Sequence, residues 1–289
     1  MAFDWPWHFV LLASPAEKQQ RRELLDLRGF YAQVSAVIVI SLLRLYESYN
    51  RAVVPIEKTR PRDKQKSWWN SPPVARWTET RRQYAVALIW LTWLVALSMW
   101  KTGDDYLHLT KALGHVGLSQ VPVQVLMSPA LYLSASKPAA SSVVSVLTGI
   151  SQPTLTAYHR LFGRLVLSPL LVGHAVLYVS FFAQSSHPEF SSLLAKRLQD
   201  DDVQCGLFAI MVAVSVLLFV RPVGNPRWLR GWSTGSQRAK RQAFYITHLL
   251  LVGVFALSAY YHVAQAQGFV LQALGAFIVN VGCCWIMAR

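Results

Sequence analysis

Along most of the chain, apolar residues come in unbroken runs separated by short polar segments. They do not show the half-polar helices or alternating strands of a water-soluble core. Seven runs are long enough to cross a hydrocarbon core of about 30 Å: 29–46, 84–100, 112–133, 161–182, 203–220, 244–263 and 269–287. The third carries His115, Gln120, Pro122, Gln124 and Pro129, so it must face neighbouring helices instead of lipid. No internal repeat stands out. The pattern predicts an all-α integral membrane protein, a bundle of about seven transmembrane helices.

Composition sharpens this picture. Apolar types make up 53% of the 289 residues and charged types 15%, against about 25% charged in soluble proteins. The formal net charge of +14 sits in the segments between the runs, where it acts as topology signal, and nucleic acid is not expected as a partner. With seven spans, one side of the membrane carries 17 Lys and Arg and the other 8, setting aside Arg44, Arg160 and Arg164 at helix ends. The richer side, with 47–83, 134–160, 221–243 and the C-terminus, is expected in the cytosol and the N-terminus outside. The N-terminal segment lacks the basic start and long apolar stretch of a signal peptide. Cys205, Cys283 and Cys284 form no CxxC pair, so neither a thiolate metal site nor a disulfide framework is expected.

The candidate chemistry lies in the histidines. His8, His108 and His187 fall in extramembrane segments and are expected at the surface; His115, in the third run, has no evident partner. His159 and His174 bracket the fourth run, while His248 and His262 bracket the sixth. From His248 to His262 is 14 residues, four turns less about 40°, so the two imidazoles share a face about 21 Å apart. From His159 to His174 is 15 residues, about 60° beyond four turns. A kink or π-bulge near Ser168, Pro169 and Gly173 would absorb the extra residue. The two helices run parallel in the predicted topology, bringing His159 level with His248 and His174 level with His262. Two facing histidines at one depth suit the axial positions of a haem iron, and two levels suit two haems. Gly163, Gly173 and Gly253 would leave room for a flat macrocycle. Packed polar side chains or a histidine proton relay remain open alternatives. Zinc fits poorly, because no carboxylate lies within these spans.

The stretch AYHRLFGRLV, running into LLVGHAVLYVSFF, resembles the haem-binding helix of the fungal ferric reductases, which belong with the NADPH oxidases to the ferric reductase transmembrane family. FYITHLLLVGVFALSAYYHV resembles the partner helix. DWPWHFV with RRELLDLRGFYAQVSAVIVISLL, and GDDYLHLTKALGHVGLSQVPVQVLM, extend the likeness upstream. The resemblance implies two b-type haems, the inner held by His159 and His248 and the outer by His174 and His262. It also implies electron flow from NADPH through FAD to these haems, and then outward to Fe(III), another metal or oxygen. The 15-residue first spacing is one longer than the family's usual 14 or shorter.

The resemblance divides the chain into residues 1–83, an outer N-terminal segment with the first span and a basic loop, and residues 84–289, the haem-binding membrane part. An HPFT-like flavin motif and a Gly-rich dinucleotide loop are absent from the sequence. The chain is therefore expected to depend on a flavoprotein electron donor. Arg160 and Arg164, one turn apart, are candidates for haem propionates, although snorkelling to the interface also explains them. The segments EKTRPRDKQK and QRAKR are expected to meet anionic lipid, and Trp90, Trp93 and Trp100 to serve as interface anchors or packing. The expectation is a ferric-chelate or other metalloreductase activity in the plasma membrane. The alternatives are a superoxide-generating oxidase and a cofactor-free seven-helix transporter or receptor.

Overall fold

The computed structural model describes residues 10, 14–53, 68–74, 77–129, 140–185, 189–219 and 237–288. Of the sequence expectations, His8, His187, the EKTRPRDKQK loop and the end of the third run lie outside these residues. Among the described residues the regular structure is entirely helical.

The first helix, α1 (Pro15–Val53), starts well before its apolar run. Ser14 and Glu17 form a reciprocal cap: the Glu17 N–H donates to Ser14 Oγ, and the Ser14 N–H to Glu17 Oε2, both at 3.2 Å. A second capping box, Thr80 with Gln83, opens α2 (Arg81–Met99). Asp105 caps α3 (Tyr106–Ser119) by accepting from the His108 N–H. After α3 come α4 (Val121–Leu126), α5 (Val143–Thr148) and α6 (Gln152–Phe162). A π-helical segment over Gly163–Leu167 joins α6 to α7 (Ser168–Gln184), and α8 (Leu193–Arg197), α9 (Asp201–Phe219), α10 (Gln237–His262) and α11 (Ala264–Ala288) complete the chain. Helix α5 ends at Gly149, whose φ of 74° is left-handed and favours a residue without Cβ.

Among the described residues, six helices are long and apolar enough to cross a membrane: Pro15–Asn50, Arg81–Met99, Gln152–Gln184, Asp201–Leu218, Gln242–His262 and Ala264–Met287. They correspond to six of the seven predicted runs. The third run is a broken helix: α3 stops at Ser119, and α4 restarts with Pro122 in its first turn, where a missing N–H costs nothing. As its polar residues required, α3 is the most enclosed element, packed by α1, α2, α7 and α11. Ala32, Ala87, Leu94, Val116, Leu161, Val166 and Leu170 build the core around it. Ala32 and Ala87 allow close helix approach there, and packing of this kind holds a bundle together where lipid offers no hydrophobic gradient. The outer surface is apolar, with Ile89, Leu45, Leu250 and Ile278 each more than 60% exposed, as lipid contact demands.

Candidate functional site: two stacked histidine pairs

The π-helical turn sets the register of the first histidine helix. The Ser168 N–H donates to the Gly163 carbonyl five residues back, and Ser168 Oγ donates to the same oxygen at 2.6 Å. Pro169 follows, where its lack of a donor is tolerated. Such a turn carries one residue more than the α-helical path it replaces. The 15-residue step therefore behaves as 14, and His174 returns to the face that carries His159.

Both pairs form across the gap between α6–α7 and α10. The His159 and His248 rings are 6.3 Å apart centre to centre, with planes at 79°; the His174 and His262 rings are also 6.3 Å apart, at 63°. This equal pairing means that α6–α7 and α10 run parallel, as expected from the sequence.

Three of the imidazoles are oriented by backbone carbonyls. His159 Nδ1 lies 3.0 Å from Gln124 O, His174 Nδ1 2.8 Å from Thr110 O, and His262 Nδ1 2.6 Å from Asp202 O. A carbonyl only accepts, so each Nδ1 carries the proton and each Nε2 keeps a free lone pair, the arrangement typical of a metal-ligating histidine. Gln124 doubles its bracket by donating its side-chain amide to His159 O at 2.5 Å. His248 differs: its buried Nδ1 has no hydrogen-bond partner among the described residues, and its ring stacks on Phe244. The carbonyls on α3–α4 also show that this broken helix runs antiparallel to α6–α7 past both levels, Gln124 beside the first histidine and Thr110 beside the second.

Two glycines that the sequence did not single out shape the second pair. A Cβ on Gly206 would come within 2.5 Å of the His262 ring, and one on Gly114 within 2.9 Å of the His174 ring. The predicted macrocycle glycines are less constrained, since a Cβ at Gly253 would meet nothing within 4 Å and one at Gly173 only Leu113 at 4.0 Å. An apolar cleft opens at this level, lined by His174 and His262 together with Leu171, Tyr178, Ile210 and Phe255.

Around the sites, other predicted residues find partners. Arg164 Nη2 donates to Glu79 Oε1 at 3.0 Å, and Arg160 Nε lies 3.5 Å from the same oxygen. Burial alone would raise the Glu79 carboxyl. A hydrogen bond from Thr78 and the charges of Arg164 and Arg160 outweigh it and hold the group below its usual range. His115 is buried against Phe269, with Nε2 3.1 Å from Asp26 Oδ1, at ion-pair distance but outside hydrogen-bond geometry. His108 is not a surface residue. It is 5% exposed and shares a hydrogen bond with the fully buried Arg28, which α1 carries into the bundle.

Fold and site together define a multi-pass membrane protein with two histidine pairs stacked along parallel helices. The family described as ferric reductase like transmembrane component matches residues 113–259, just over half of the chain, and the chain belongs to that family. The match contains His159, His174 and His248 and stops just before His262. No curated protein and no solved structure matches the chain. The family implies haem, and the donor set fits it. With metal–nitrogen bonds of about 2 Å and each nitrogen about 1 Å from its ring centre, two imidazoles on one iron stand about 6 Å apart, close to the separation at both levels.

Proposed function

We propose that the protein carries electrons across the membrane through two bis-histidyl b-type haems. His159 and His248 hold the inner haem, and His174 and His262 the outer. The observation that carries this reading is the equal 6.3 Å ring separation of both pairs, combined with the carbonyl partners that leave Nε2 free on three of the four rings. Haem supplies one-electron chemistry when bound. The chain's part is to fix the tautomers, keep each pair at ligating distance and enclose the outer level in an apolar cleft.

On this reading α3–α4 is the seventh crossing, the N-terminus lies outside, and electrons enter on the cytosolic side from a flavoprotein donor. They leave at the outer haem for a ferric chelate or another metal in a plasma-membrane setting. The test is the haem content and visible spectrum of the purified full chain supplied with haem, alone and with each single His→Leu substitution. Two low-spin haems per chain are expected in the parent and one in each variant. A colourless, folded parent would eliminate the proposal in favour of a cofactor-free membrane protein. Dithionite-reduced protein in liposomes, offered external ferric chelate or oxygen, then identifies the acceptor.

A further inference from the structure

Arg160 follows His159 directly in the chain, and Arg164 lies one turn further on, inside the π-helical segment. Their side chains remain 39% and 34% exposed. Both guanidinium groups converge on one carboxylate, Glu79, whose own side chain is only 6% exposed. Glu79 comes from a distant part of the sequence, just before the Thr80 cap of α2. Without it, two positive charges would stand beside His159 with no carboxylate paired to them among the described residues. With it, the cluster carries one net positive charge and both side chains are drawn to a fixed point.

We infer that Glu79 is a positioning residue for the inner pair: by gathering Arg160 and Arg164 it sets both their placement and the net charge felt at the His159–His248 level. The inference rests on the haem reading above. A nearby negative charge stabilises the oxidised, more positive state of a metal centre, and the effect is strong where solvent screening is poor. Glu79 therefore lowers the midpoint potential of the inner haem, and the two arginines raise it.

Redox titration of the full haem-loaded chain, followed by visible absorbance, tests this. Glu79→Gln keeps the shape and a hydrogen-bond acceptor while removing the charge. It should leave haem content unchanged and raise one of two transitions, so that at its parental midpoint the reduced-to-oxidised ratio of that haem rises about threefold, a shift of about 30 mV at 59 mV per tenfold. Arg164→Gln should move the same transition downward. The transition concerned is the one that disappears in His159→Leu. Three outcomes overturn the inference: parental titration of Glu79→Gln, a shift confined to the other transition, or loss of haem in Glu79→Gln, which would make Glu79 a structural clamp. Should Glu79→Gln fail to accumulate, an unmoved transition in Arg164→Gln overturns it alone. If the parent itself binds no haem, the proposed function fails instead, so the two failures are told apart.

Discussion

At the outer level both histidines lean on backbone carbonyls, and two glycines, Gly114 and Gly206, let neighbouring helices come against their rings. At the inner level one histidine is bracketed twice by Gln124, the other has an aromatic neighbour and an Nδ1 without a hydrogen-bond partner among the described residues, and charged side chains stand at the rim. Both arrangements hold the rings at the same distance. The outer pair is held by backbone carbonyls and close backbone approach, which tolerates no added atoms; at the inner level one backbone carbonyl holds His159 and the remaining contacts are made by side chains, which can be altered one at a time. The inner level should therefore be adjustable by substitution where the outer level fails.

Register offers the sharpest way to break this comparison. Deleting Leu257 from α10 should swing His262 by about 100° relative to His248 and abolish the outer haem. Deleting Leu167 should instead let the π turn relax to an α-helix with His174 still in line, and most outer haem should survive. Haem content per chain distinguishes the two; equal loss in both would remove the π turn as a register device. Next in size, Gly206→Ala should lower outer haem occupancy several-fold, Gly114→Ala less, and Gly253→Ala not at all, as measured by pyridine haemochrome content.

A milder change is expected at the inner level. Gln124→Leu removes a part-buried hydrogen bond to His159 O, worth about 1 kcal/mol, yet keeps the backbone carbonyl that accepts from Nδ1. Both haems should remain, with a small fall in Tm; complete loss of the inner haem would show that the side chain, not the carbonyl, orients His159. The smallest effect concerns pH. The Glu79 carboxyl is held below its usual range, so its contribution is full above the unfolded value of about 4.3 and fades as pH falls through the lower folded value. The difference in Tm between the parent and Glu79→Gln should therefore close on acidification. Orientation separates the two levels without energetics. A cysteine at Ser192 should react with impermeant thiol reagents in intact cells, and one at Ser67 should be shielded.

Much of this arrangement was legible from spacing alone. The 14- and 15-residue histidine steps, with Pro169 between His159 and His174, implied both the shared levels and a local widening of the helix. Spacing works here because helix geometry converts residue number into depth and direction. What lies across helix seams was not legible. Nothing in the sequence set Gly206 opposite His262 or Gly114 opposite His174, because interhelical register is fixed by packing. Glu79 is separated from Arg164 by 85 residues and was hidden for the same reason. In the sequence Arg28 is one of several basic residues preceding the first run, and only the early start of α1, opened by the Ser14–Glu17 cap, brings it to His108.

The 14 residues between His248 and His262 place the two levels about 21 Å apart, roughly two-thirds of a hydrocarbon core of about 30 Å. An electron passed from the inner to the outer pair therefore traverses most of the electric field across the bilayer. With the cytosol negative by about 100 mV, a full crossing is worth about 2.3 kcal/mol per charge, and this step alone would recover on the order of 1.5 kcal/mol. On the proposed reading, transfer is electrogenic: each turnover discharges the membrane, and the outward rate should rise as the interior is made more negative.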